Sequence, residues 1–293
     1  MPPFPRLLDS LGSSDKSYER KIKIIMLQSQ LQSIVEKFAV SATVSTIRPL
    51  GSGLINDTYL VVTEEKDQPD YVLQRINHEV FPDVDMVMRN IAIVTRHIRE
   101  RLIAQGETDL RHHVLEFLPT VEDANRLYAE VDGHYWRLMV FIDHAVTKQE
   151  VNPESAHAAG QSFGHFQAML ADVPCQLGET IKDFHNMEFR IEQLKQACVE
   201  DRAGRFDEPA VQELLEQLGN RAEAMTEAER LGREGKLPKR VCHCDTKVNN
   251  MLFSEDGSEV LCVIDLDTVM PSFIFSDYGD FLRTAASTAA EDE

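Results

Sequence analysis

One stretch of this sequence leaves little freedom to the rest of the chain. It runs Val241-Cys242-His243-Cys244-Asp245-Thr246-Lys247-Val248-Asn249-Asn250-Met251-Leu252-Phe253 and resumes as Val260-Leu261-Cys262-Val263-Ile264-Asp265-Leu266-Asp267. Met251–Phe253 and Glu259–Ile264 read as two strands around Asp256-Gly257, a dipeptide that favours hairpin turns. A hairpin of that length carries Asp265 back toward Asn250. Any fold adopted here must place two acidic groups, Asp245 and Asp265, and the Asn250 amide close together, with Lys247 on the same loop.

The residue types fit one chemistry. An Asp that accepts a hydroxyl proton needs a metal beside it that bridges phosphate oxygens. The four residues between Asp245 and Asn250 let one loop turn so that both groups face the same side. His243, Asp245 and Asn250 reproduce the H-x-D-x-x-x-x-N spacing of kinase catalytic loops. Carboxylate and amide oxygens are the donors that a hard Mg²⁺ prefers. Asp245 is therefore the expected base, Asn250 and Asp265 the metal ligands, and Asp267 a further ligand. Lys247 is placed to offset charge on a transferred phosphoryl group.

Upstream, Val44–Leu50, Thr58–Thr63 and Tyr71–Ile76 read as strands. Between the first two lies Gly51-Ser52-Gly53-Leu54-Ile55-Asn56-Asp57, where Gly51 and Gly53 permit close approach of backbone to a phosphate. The third strand carries no lysine. Alternation puts Val72, Gln74 and Ile76 on one face and Arg75 on the other. The cation that faces nucleotide phosphates is either replaced by Gln74 or supplied by Arg75 through a bulge. Val114–Leu118 and Arg126–Glu130 are expected strands, and Asp132-Gly133 turns the chain into a last strand, Tyr135–Ile142.

Helical periodicity fills most of the remainder. Ile24, Leu27, Leu31, Ile34, Val35 and Phe38 share one face of a helix expected over Tyr18–Phe38. Met86–Ile103 is a second helix, expected to pack behind the third strand. Asn152 is a good N-cap with Pro153 at the first helical position, and Ala156–Leu170 follows. Glu188–Glu200 and Glu208–Leu231 are further helices, the latter rich in Glu and Arg at i,i+4 spacing and mostly solvated.

Net charge of −19 argues against a nucleic-acid partner, which needs a basic face. Five cysteines, an odd number, at 175, 198, 242, 244 and 262 give no zinc spacing and suit reduced thiols. The N-terminal residues show neither the basic start nor the apolar run of a signal peptide. No apolar run reaches the roughly 20 residues of a membrane span. A cytoplasmic protein without membrane partners is expected.

Beyond the catalytic loop, Val263-Ile264-Asp265-Leu266-Asp267-Thr268-Val269-Met270-Pro271 and Ser276-Asp277-Tyr278-Gly279-Asp280 complete a run to Arg283. This run resembles the aminoglycoside, choline and homoserine kinase family of phosphotransferases, and within it most resembles the N-acetylhexosamine 1-kinases. The similarity extends through Phe184-His185-Asn186 and Gly160–Leu170 to Gly51–Tyr59. It implies an α+β, protein-kinase-like, two-lobed fold. An N-terminal nucleotide-binding lobe of antiparallel sheet and helix would span 18–142, after a poorly ordered leader at 1–17. A mostly helical catalytic and substrate lobe would span 143–293.

The resemblance implies ATP and Mg²⁺ as cofactors and a small sugar or amino alcohol as acceptor. Adenine would meet backbone groups around Val140 and Ile142. Asp143, His185, Arg190 and Arg283 are the candidate acceptor contacts, and His243 and Asp277 have supporting roles. Two departures stand out: the missing strand lysine, and a C-terminus shorter than is usual for related kinases. The expected function is phosphorylation of the anomeric hydroxyl of an N-acetylhexosamine. A kinase for an aminoglycoside, choline or homoserine, or a nucleotide-binding pseudokinase, are the alternatives.

Overall fold

The computed structural model describes residues 28–51, 55–148, 152–174 and 176–285. Two compact units emerge: residues up to His78 with Glu116–Phe141, and Glu79–Leu115 with all that follows Ile142. The expected leader at 1–17 and the first part of the Tyr18–Phe38 helix lie outside the described residues.

The first unit is built on an antiparallel sheet. Its strands are β1 (Val44–Pro49), β2 (Asp57–Thr63), β3 (Tyr71–Ile76), β4 (Ala129–Val131) and β5 (His134–Val140), in the order β1-β2-β3-β5-β4. Alternation sends Val61, Leu73 and Leu138 to one face, where none retains exposed surface. The described part of helix α1, residues 28–35, lays Leu31, Ile34 and Val35 on that face, with Phe38 just beyond. Each such burial contributes roughly 1.5–3 kcal/mol. The β4–β5 turn places Asp132 (φ 52°) and Gly133 (φ 74°) in the left-handed region, as a tight hairpin requires.

Two expectations change here. Val114–Leu118 is not a strand; it makes a single bridge, Phe117 to Met139, after the short helix α3 (Leu110–His113). The expected Arg126–Glu130 strand reduces to the three residues of β4.

The second unit takes helix α2 (Val84–Ala104), which the sequence reading grouped with the strands. Asp83 caps α2 by accepting from the Met86 amide at 2.9 Å. Within an otherwise apolar buried stripe sits Asn90, fully buried. Its side chain donates to Gly178 O (2.8 Å) and Val269 O (3.0 Å) and accepts from Gly178 N (3.1 Å). These bonds tie α2 to segments of the second unit, and no apolar pattern reveals them.

Helix α4 (Pro153–Met169) starts at a reciprocal cap between Asn152 and Ser155. Helix α5 (Met187–Glu200) follows, and the expected Glu208–Leu231 helix is broken in two, α6 (Pro209–Met225) and α7 (Glu227–Arg233). At the break, the Thr226 hydroxyl donates to Glu223 O at 3.1 Å, a back-bond that competes with helix geometry.

The rest positions the site. β6 (Ala145–Val146), β8 (Met251–Ser254) and β9 (Val260–Val263) form a three-stranded sheet, so the expected hairpin is present. β7 (Arg240–Cys242) pairs with β10 (Met270–Ser272), and α8 (Ile274–Ala285) follows. No helix among the described residues is long and apolar enough to cross a membrane.

Replacing Asn90 with Ala removes three hydrogen bonds, one buried and two part-buried, and leaves backbone groups without this partner, each costing roughly 1–3 kcal/mol. The expected outcome is a loss of about 3 kcal/mol or more in urea unfolding. A loss below about 1 kcal/mol would contradict the role given to this side chain.

Candidate active site

From His243 to Lys247 the loop has no sheet or helix to satisfy its amides, and Cys244 adopts φ 66°; Val248–Asn250 then form a single 3₁₀ turn. Two carboxylates of the first turns of α8 accept from loop amides instead. Asp277, buried at 2% exposure, accepts from His243 N (2.9 Å) and Cys244 N (2.8 Å). Its Oδ2 also accepts from Gln167 Nε2 of α4 at 2.9 Å. Asp280 accepts from Thr246 N at 2.8 Å, and the Thr246 hydroxyl donates to Asp277 O at 2.6 Å. The sequence reading assigned support of this loop to Asp277; Asp280 and Gln167 were missed. Asp280 lies in the same quoted motif, three residues on, where one helical turn returns it to the same side.

His243 is fully buried, between the edges of Phe163 and Phe166 of α4. Its Nε2 is 2.9 Å from Ile264 O, and its Nδ1 accepts from Asp245 N at 3.3 Å. Donation by Nε2–H and acceptance by Nδ1 define a neutral ring in one tautomer. The side chain joins the loop that bears Asp245 to the residue just before Asp265.

Asn250 orients toward Asp245. Its Nδ2 donates to Asp245 O (2.8 Å) and Asp245 Oδ2 (3.0 Å). Lys247 Nζ lies 3.3 Å from Asp245 Oδ1, with both side chains about four-fifths buried. The Ile264 amide donates to Asn250 O at 2.9 Å, which brings the end of β9, and so Asp265, beside Asn250. Asp265 is exposed at φ 58°, a position Asp tolerates better than most residues. Asp267, by contrast, is buried at 2% exposure.

This donor set fits a hard divalent cation. With the Asn250 nitrogen engaged by Asp245, its oxygen is the atom left for a cation, and Asp265 adds an exposed carboxylate. Among the described residues no group of three or more His, Cys, Asp or Glu is assembled to hold a metal. Mg²⁺ does not need one, since it is held by one or two carboxylates plus phosphates and waters.

The candidate acceptor residues are placed differently. Arg283 donates from Nε (3.2 Å) and Nη2 (2.8 Å) to Asp280 Oδ1, on the carboxylate that accepts from Thr246 N. Arg190 donates from Nε (3.1 Å) and Nη2 (2.8 Å) to Phe184 O and from Nη1 (2.8 Å) to Gln193, shaping the turn before α5. His185 stacks on Phe184 at 4.5 Å. Burial lowers its pKa, against the opposing pull of Asp280, Asp277 and Asp245. Asp143 accepts from His112 Nε2 at 2.8 Å and from Arg111 Nη2 at 3.3 Å. Burial raises the Asp143 pKa, but the His112 bond and the Arg111 charge outweigh it and the net shift is downward. His112 moves up, chiefly through its bond to Asp109.

On the first unit, Gly51 has φ 72°, so only glycine fits there without strain; Gly53 lies outside the described residues. Val140 N donates to Glu116 O at 2.9 Å, so that amide is already engaged. Ile142 is buried at 5% exposure. Arg75 pairs with Asp57 across the sheet, and Gln74 bonds to Arg137 of β5, a buried cation the sequence reading overlooked.

Residues 46–293 match the model of the phosphotransferase enzyme family, APH. The chain belongs to that family. Three solved structures share its fold. An aminoglycoside phosphotransferase from Alicyclobacillus acidocaldarius is 17% identical with a TM-score of 0.54, over 86% of this chain and 70% of that one. A microcompartment-associated aminopropanol kinase is 16% identical with a TM-score of 0.57, over 87% and 73%. An amicoumacin kinase in complex with AMP-PNP, Ca²⁺ and Ami is 11% identical with a TM-score of 0.57, over 90% and 71%. The α+β fold, an antiparallel N-terminal sheet with a helical C-terminal region, is the kinase-like fold of these enzymes.

Substitution of Asp277 by Ala leaves the His243 and Cys244 amides without acceptors. Hydrogen bonds to a charged group contribute about 1.5–3 kcal/mol each, so thermal stability should fall markedly. Amide hydrogen exchange at 243–246 should accelerate by at least tenfold, and Asp280→Asn should have a smaller effect centred on Thr246. Unchanged protection at 243–246 in Asp277→Ala would refute this support.

Proposed function

We propose that this chain is an ATP-dependent small-molecule kinase that phosphorylates an alcohol, by sequence resemblance the anomeric hydroxyl of an N-acetylhexosamine. One observation carries the kinase reading. Asp245 is held between the Asn250 amide (3.0 Å) and the Lys247 ammonium (3.3 Å), with Asp265 brought beside them by the Ile264–Asn250 hydrogen bond (2.9 Å). The sugar reading is supported by the 241–283 run and by Phe184-His185-Asn186.

In this reading the Asp245 carboxylate orients the acceptor hydroxyl and accepts its proton as the bond to phosphorus forms. Lys247 stands against the negative charge carried by the phosphoryl oxygens. Asn250 and Asp265 would hold the metal, with Asp267 as a further ligand. Magnesium, when bound, neutralises charge on the phosphates. Asp277, Asp280 and His243 keep the base and the metal residues in register, so that catalysis rests on positioning and charge complementarity. Gly51 and Gly53 would cover the phosphates, with adenine near Val140 and Ile142. The acceptor would be met by His185, with Asp143, Arg190 and Arg283 shaping its surroundings.

ATP turnover corrected for hydrolysis, measured across N-acetylglucosamine, N-acetylgalactosamine, 1-amino-2-propanol, choline and kanamycin, tests this directly. The expected result is transfer to an N-acetylhexosamine, with a sugar 1-phosphate signal in ³¹P NMR. Transfer to an amino alcohol or aminoglycoside alone would overturn the sugar assignment. No transfer, with ATP still bound, would mark a nucleotide-binding pseudokinase. Asp245→Asn should lower kcat by on the order of 10²–10⁴-fold with ATP affinity within a few fold. Asp265→Ala should abolish the dependence of ATP binding on added magnesium. Retention of more than about a tenth of kcat in the first, or unchanged magnesium dependence in the second, would remove that residue from its role.

A further inference from the structure

A kinase-like sheet without its strand lysine needs another way to meet the nucleotide phosphates. Arg75 does not supply it. Gln74 and Arg75 alternate to opposite faces of β3, and Arg75 is paired with Asp57, its register partner on β2. Gln74 occupies the middle of a row drawn from three adjacent strands. Thr58 of β2 and Arg137 of β5 are its register partners on either side. Arg137 is buried at 2% exposure, with its guanidinium over the Phe117 ring at 5.6 Å. Its Nε and Nη2 both donate to Gln74 Oε1, at 3.0 and 2.9 Å. Gln74 Nε2 donates to Thr58 Oγ1 at 3.0 Å.

The row explains why residue 74 is not lysine. An ammonium in place of the Gln74 amide would face the Arg137 guanidinium, and like charges directly opposite on neighbouring strands are destabilising. An amide removes the repulsion and transmits the charge. Two bonds from a cation to Gln74 Oε1 polarise the amide and strengthen its N–H groups as donors. One of those N–H groups meets Thr58; the amide has a second. The same two bonds fix which end of the amide is oxygen and which is nitrogen.

We propose that Gln74 and Arg137 together replace the strand lysine. The Gln74 amide N–H contacts a phosphate oxygen of ATP, and Arg137 is the positioning residue that orients this amide and supplies positive charge behind it. The inference rests on the ATP-dependent reading given above and adds a residue that neither the motif nor the family match identifies.

Calorimetry on the full chain with Mg-ATP and with adenosine tests it, because only ATP carries the phosphates. Gln74→Leu and Arg137→Met should each weaken ATP by about tenfold or more, the size of one charge-assisted hydrogen bond, with adenosine affinity within about threefold. Arg137→Lys, which keeps a cation, should recover part of the loss. The double variant Gln74→Lys with Arg137→Met moves the cation to β3 and should restore the ATP-to-adenosine ratio to within about threefold of wild type. If Arg137→Met fails to fold, Gln74→Leu and Arg137→Lys carry the test.

Equal weakening of ATP and adenosine, or unchanged ATP affinity in folded variants, would show that Arg137 serves the sheet alone and would overturn the proposal. Failure of the wild-type chain to bind ATP at all would instead overturn the function on which it rests.

Discussion

The loop that carries Asp245 depends on the Asp277 carboxylate, which accepts from its His243 and Cys244 amides. A catalytic loop must leave regular structure to aim its side chains, and its amides then lose the partners a strand or helix would provide. Here two consecutive amides, at His243 and Cys244, converge on one buried carboxylate. Cys244 sits at φ 66°, a conformation that costs free energy and persists only where the surroundings impose it. The carboxylate also lies in the first turn of α8, where the helix dipole favours negative charge. Both partners gain: the charge finds donors and a favourable field, and the loop finds a rigid acceptor.

From that anchor the rest follows by short steps. His243, held at its amide by Asp277, passes its ring to Ile264 O and receives the Asp245 amide. Ile264 in turn donates to Asn250 O. Asp245 and Asn250 therefore lie on one hydrogen-bonded circuit, and Asp265 adjoins it as the residue after Ile264. Phe163 and Phe166 close the circuit from the apolar side by flanking the imidazole. Such a circuit limits relative movement of groups whose spacing decides transfer, which is what phosphoryl chemistry asks of a protein.

Much of this circuit was legible in the sequence because it is encoded locally. The Asp245–Asn250 spacing and the β8–β9 hairpin depend on residues within a few positions of one another. What escaped was non-local. Asn90 reads as a polar interruption in an apolar stripe, and its partners lie at 178 and 269. The pairing of β7 with β10 joins three-residue strands separated by the whole hairpin. Arg137 did carry a signal: a cation among Trp136, Leu138 and Met139 in a largely buried strand needs a partner, but the β3–β5 register that makes that partner Gln74 is non-local. The break at Thr226 left no such signal, since the flanking Glu and Arg spacing is helical on both sides.

The site thus separates into a part fixed by packing and a part that remains open to solvent. Asp277 and His243 are buried, whereas Asp265 is exposed in a left-handed turn. That contrast suits a ligand that arrives with its own phosphates and metal. Anomalous scattering from crystals grown with Mn²⁺ and a non-hydrolysable ATP analogue is the most direct test. The account predicts a manganese peak bonded to the Asp265 carboxylate and the Asn250 side-chain oxygen, with phosphate oxygens completing its shell. A nucleotide-bound crystal whose manganese lies away from both residues would contradict it.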